Sequence, residues 1–82
     1  MISNSRLKQA VGHALSGQWR EAHEIVQDDE EGEIACWIHA VLHYQEGDLP
    51  NARYWYARCG RKLRTVVSPE NELREIDAAL KG

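Results

Sequence analysis

Apolar residues recur along the chain at the three- and four-residue spacing of helices, and no stretch alternates as a half-buried strand does. The spacing predicts an all-α protein of five helices. The first, from about Ser5 to Ser16, places Leu7, Val11, Ala14 and Leu15 on one stripe, with Ser3, Asn4 or Ser5 as N-cap and Gly17 as its stop. The second begins near Gln18 and turns Trp19, Ala22, Ile25 and Val26 inward. The third, about Glu33 to Glu46, sets Ile34, Trp37, Ile38, Val41 and Leu42 on one side and Cys36, Ala40 and His43 on the other. With neither side solvated, it is expected at the centre of the fold. Most of the acidic run Asp28, Asp29, Glu30, Glu31 and Glu33 is assigned to the start of this helix, where the helix dipole favours carboxylates.

Gly47 ends the third helix, and Asp48-Leu49-Pro50 opens the fourth with a capping aspartate and a first-turn proline. The fourth carries Ala52, Trp55, Tyr56 and Cys59 inward and stops at Gly60. Ser68-Pro69-Glu70 starts the fifth, whose Leu73, Ile76 and Leu80 make one narrow stripe, so it is expected to cap the others as a lid.

A shift of thirty places aligns Ala10 with Ala40, Val11 with Val41, His13 with His43, Gly17 with Gly47 and Ala22 with Ala52. That is five identities in the eighteen positions from 10 to 27, where roughly one is expected from average residue frequencies. Each unit reads as helix, glycine turn, helix. The expected architecture is two stacked antiparallel helical hairpins, at about 5–28 and 33–60, closed by a capping helix at about 69–81, in one domain spanning residues 1–82.

Gly47-Asp48-Leu49-Pro50-Asn51-Ala52, followed by Tyr56 and Cys59, resembles the turn and second helix of a tetratricopeptide repeat. The period is thirty rather than thirty-four and the closing proline is missing. The wider stretches Gly17–Gln27, Trp37–His43 and Asn51–Tyr56 are similar to a group of short uncharacterised bacterial proteins, which implies a fold and a bacterial setting but no activity.

Composition narrows the function. At 82 residues and 9.4 kDa, the chain is too short for a deep substrate chamber, so function is sought on faces and grooves. Net charge is −3, which gives no overall attraction to nucleic acid or an anionic membrane. The charge is polarised: residues 1–48 hold three basic and nine acidic side chains, and residues 49–82 hold seven basic and four acidic. The two poles could meet within one molecule or between two. No apolar run has signal-peptide or membrane-span length, so a cytoplasmic address is expected. Cys36 and Cys59 lack redox or zinc-knuckle spacing and read as small buried hydrophobes.

Two functions from different classes follow. The first is a non-catalytic protein-interaction module or small homo-oligomeric scaffold with no cofactor, whose contact face is Arg53, Tyr54, Arg58, Arg61 and Lys62. Its partner is a protein, a peptide or another copy. The alternative is a small metal-binding or histidine-dependent protein. His39 and His43, four apart on one helical face, can reach one metal ion, with Cys36 on the same stripe and His23, His13, Glu46 or the acidic run as sources of a third ligand. Against this stands a structural role. Buried histidines fix helix register through one donor and one acceptor, and then resist protonation near pH 6. Trp19, Trp37 and Trp55 are all read as core.

Overall fold

The computed structural model describes residues 2–81, which form five helices: α1 Asn4–Leu15, α2 Trp19–Val26, α3 Glu33–Gln45, α4 Leu49–Arg58 and α5 Pro69–Lys81. No strand occurs among the described residues, and no helix is long and apolar enough to cross a membrane. The starts are those written in the chain. Ser3 accepts the Arg6 amide, Asp48 accepts the Asn51 amide ahead of Pro50, and Ser68 accepts the Asn71 amide.

Three helices end the same way. After α1, α3 and α4 the chain enters the left-handed region at Gly17, Gly47 and Gly60, with φ of 78°, 85° and 73°. The following amides reach back five residues, from Gln18 to the His13 carbonyl, Asp48 to His43 and Arg61 to Tyr56, at 2.8–2.9 Å. A Cβ on Gly47 would meet nothing within 4 Å, so the penalty of Gly47→Ala is purely conformational. This variant is expected to lose about 1–2 kcal/mol, read as a fall of roughly 5–15 °C in Tm by circular dichroism.

α3 is the central element, in contact with all four other helices, and every residue from Ala35 to His43 is buried. α5 lies across both α1 and α3. The chain therefore closes on itself, with near-equal extents of 28, 25 and 24 Å. The core is built from Ala10, Val11, Ala22, Val26, Ile38, Val41, Leu42, Ala52, Tyr56, Leu73 and Ile76.

Several expectations change. The buried stripe of α1 is Leu7, Ala10, Val11 and Ala14, and Leu15, about 100° further around, is exposed. Asp28–Glu31 precede α3 instead of opening it, because Asp29 turns back to accept the Gly32 amide at 3.0 Å and the Ile2 amide at 3.3 Å. Trp37 is core, but Trp19 and Trp55 are only half-buried.

The stripe of α5 contains a charge that periodicity did not reveal. Glu72 is 1% exposed; its carboxylate accepts the Trp37 indole N–H at 2.7 Å and the Tyr56 hydroxyl at 2.8 Å. Arg64 stands 3.8 Å away. Burial and the hydrogen bond to this carboxylate push the Tyr56 phenol well above its ordinary range.

Candidate functional site

The histidines of α2 and α3 meet in one cluster. One helical turn separates His39 from His43 on α3, and α2 brings His23 against them. Trp19, the first residue of α2, fixes that approach: its indole N–H donates to the Leu42 carbonyl of α3 at 2.6 Å, and its ring stacks on His23 at 4.7 Å, 11° from parallel. From α4, Trp55 stacks on His39 at 3.9 Å. The three imidazoles thus lie between two indoles.

Within the cluster, His23 Nε2 and His39 Nε2 are 3.1 Å apart, so one donates and the other accepts. His43 Nδ1 is 2.7 Å from Glu46 Oε2, so Nδ1–H donates to that carboxylate and Nε2 keeps the ring's lone pair, with the Asn51 amide nitrogen 3.5 Å from it. One ligating nitrogen from each of His23, His39 and His43 lies within 4.8 Å of the others. His39 Nδ1 is buried without a partner. Burial, then the neighbouring His23 and His43, hold His39 down at about 3; burial, then His43, also lowers His23. Both rings are therefore neutral at pH 7, the form that binds metals.

A consequence for stability follows. His39 titrates near its ordinary 6.5 when unfolded and about 3 when folded, so between these values the unfolded state holds the extra proton. Stability is complete above pH 6.5 and falls as the solution is acidified. From His39 alone the loss at pH 4.5 is on the order of 2–3 kcal/mol. Urea unfolding of chelator-treated protein between pH 7.5 and 4.5 checks this, and His39→Gln flattens the dependence.

Other expected site residues lie elsewhere. Cys36 shares the helical stripe of His39, but its thiol donates to the Trp55 carbonyl at 3.3 Å and lies by Cys59, outside the cluster. Burial, then Cys59, pushes Cys36 up to about 12, so it is a thiol and not a ready ligand. Both cysteines are free. His13 is half-exposed and pairs its Nδ1 with the Gln18 amide oxygen at 2.7 Å.

The basic and acidic poles meet within the one molecule. Arg58 lies 3.7 Å from Glu31 and donates to the Tyr54 hydroxyl at 3.2 Å, while Arg61 lies 3.7 Å from Glu33 with its guanidinium 3.5 Å from the centre of the Trp37 ring. Of the expected contact face, Arg53 and Lys62 make no ion pair among the described residues, and Tyr54 is 54% exposed.

Sequence pattern alone gives these roles to neither the indoles, the His43–Glu46 pair nor the buried Glu72. The one available signal was the four-residue spacing of Trp19 and His23, which places both on one face of α2. No protein-family model, curated protein or solved structure matches the chain.

Proposed function

We propose that this chain is a small helical protein that holds one divalent transition-metal ion, with zinc as the reference case, on His23, His39 and His43. The observation that carries this reading is the convergence of three imidazole nitrogens within 4.8 Å from two helices. Two imidazoles on a tetrahedral ion, each about 2.0–2.1 Å from it, stand roughly 3.3–3.4 Å apart; His23 and His39 stand at 3.1 Å. A shared proton accounts for that pair alone, but not for the third nitrogen, on His43. Glu46 on His43 Nδ1 supplies the carboxylate that metal-binding histidines use to fix tautomer and ring orientation. An all-imidazole set suits zinc, copper, nickel or iron and disfavours calcium and magnesium.

The test is native mass spectrometry and calorimetric titration of chelator-treated protein. One ion per chain is expected, lost in His23→Gln, His39→Gln and His43→Gln and weakened about 10- to 100-fold in Glu46→Gln. Failure of zinc, cobalt, nickel, copper and iron to bind stoichiometrically removes the reading.

A different observation favours a second reading, a non-catalytic interaction module. Arg53, Arg61 and Lys62 surround an open groove of about 310 Å³ floored by Tyr56, Ala57 and Leu63, and no acidic side chain lines it. Its partner would be an acidic protein segment or a second copy, in a cytoplasmic bacterial setting. Support for a tetratricopeptide-like pair of hairpins comes from the thirty-residue correspondence: Ala10 and Ala40, Val11 and Val41, and Ala22 and Ala52 are each at most 1% exposed, and Gly17 and Gly47 share one conformation. Sedimentation should show association that weakens with salt and disappears in Arg53→Glu/Lys62→Glu; a strictly monomeric mass, with no acidic peptide bound, rejects it.

A further inference from the structure

We infer that Cys36 and Cys59 form one dithiol site, which a low-molecular-weight disulfide such as oxidised glutathione converts to an internal disulfide fastening α4 to α3. Nothing in this rests on the histidine cluster. The first support is register. The turn at Gly47 folds α4 back along α3, and residues equally far from it on either side face each other: the His43 ring lies 3.5 Å from the Asn51 amide, and His39 stacks on Trp55 at 3.9 Å. One helical turn further from the bend, the same register sets Cys36 opposite Cys59. The second support is contact. The Cys36 thiol and the Cys59 amide both donate to the Trp55 carbonyl, each at 3.3 Å, so they converge on one oxygen. The Cys59 thiol turns to the next carbonyl, that of Tyr56, at 3.4 Å, and the two thiols are hydrogen-bonding neighbours. A disulfide requires side chains that converge across a short gap, and these two converge.

The third support is unequal access. Cys36 is 3% exposed, whereas Cys59, the C-cap residue of α4, is half-buried. Burial raises the Cys59 thiol, while contact with Cys36 and the charge of Arg61 oppose that rise. Cys59 is therefore the entry thiol and Cys36 the resolving one. Cys59 loses its proton to solvent and its sulfur attacks one sulfur of oxidised glutathione; a mixed disulfide forms, and the expelled glutathione thiolate takes up a proton. Cys36 then gives up its proton and attacks the Cys59 sulfur, closing the internal bond and expelling the second glutathione. Two protein thiols are oxidised by two electrons, and one disulfide is reduced to two thiols. Spacing along the chain shows none of this, because a hairpin turn rather than a local motif brings the two cysteines together.

The experiment incubates the full, chelator-treated chain with oxidised glutathione and follows intact mass, free thiols and Tm. A monomer lighter by two hydrogens, with no free thiol and a proteolytic fragment linking Cys36 to Cys59, is expected. Its Tm should stand roughly 10–25 °C above that of the reduced chain and return to it with dithiothreitol. Cys36→Ala should stop at the mixed disulfide on Cys59, and Cys59→Ala should stay unmodified under the same exposure. A wild-type chain that stops at the glutathione adduct, links to a second copy or keeps both thiols overturns the inference. Internal closure that lowers the Tm also overturns it, since the bond then forms at the expense of the folded register. Glutathione on Cys36 in Cys59→Ala overturns the order of attack.

Discussion

Zinc at one hundred times its dissociation constant is expected to raise the Tm of the protein by roughly 10–20 °C, with no rise in His39→Gln. The size follows from linkage. Binding to the folded state alone contributes about 2.7 kcal/mol at that concentration, and a domain of this length gains roughly 4–8 °C per kcal/mol. The ion would tie α2, eight residues long, to the central helix, a junction otherwise anchored by the Trp19 indole on the Leu42 carbonyl. His39 is the decisive residue because it touches His23, His43 and Trp55 at once. The readout is the difference with and without zinc, which cancels any change the substitution makes to the metal-free fold. Calcium and magnesium, which prefer oxygen ligands, should shift nothing. An equal rise in His39→Gln would place zinc elsewhere, and no rise in the wild type would leave the histidines as packing groups.

The local features of the fold were legible because local rules write them. Asp48-Leu49-Pro50 and Ser68-Pro69 start helices, Gly17, Gly47 and Gly60 stop them, and a helix apolar on both flanks proved to be the central α3. Legibility failed where a partner element decides. Leu15 is apolar but lies beyond the stripe that α1 buries, and Asp29 left the helix start because its carboxylate found the Gly32 and Ile2 amides. The candidate site divides in the same way. The four-residue spacing of His39 and His43 is a property of one helix and can be counted. That His23 is the histidine that joins them depends on how α2 docks, and the chain carries no local mark of that docking beyond Trp19 on the same face. Cys36 has the correct helical phase and the wrong neighbour, since α4 offers its thiol the Trp55 carbonyl. His13 and His43 align in sequence yet differ, because α3 is central and buries His43 while His13 on α1 stays half-exposed beside Gln18.

Glu72→Ala is expected to cost roughly 3–5 kcal/mol, enough to leave a domain this small partly unfolded at 37 °C. The reason lies in what remains after the carboxylate is removed. Glu72 on α5 accepts from Trp37 on α3 and Tyr56 on α4, so one side chain joins three helices in the core. Without it, a buried indole N–H and a buried hydroxyl lose their acceptor, each at about 1–3 kcal/mol, and the vacated volume adds a packing loss. Glu72→Gln keeps one acceptor oxygen for two donors, so it should fall between wild type and Glu72→Ala. The informative comparison is the combined variant Glu72→Leu, Trp37→Phe and Tyr56→Phe. Buried charge is expensive to desolvate, and apolar replacement of a whole network often restores or exceeds the original stability. If the carboxylate serves chiefly to select the docking position of α5, the triple variant should recover most of the urea midpoint while its near-ultraviolet dichroism loses definition. If the network itself supplies the stability, the triple variant stays as weak as Glu72→Ala. A Glu72→Ala midpoint within about 1 kcal/mol of wild type would mean that water reaches Trp37 and Tyr56 as readily as the carboxylate does, which their burial at 5% and 1% exposure argues against.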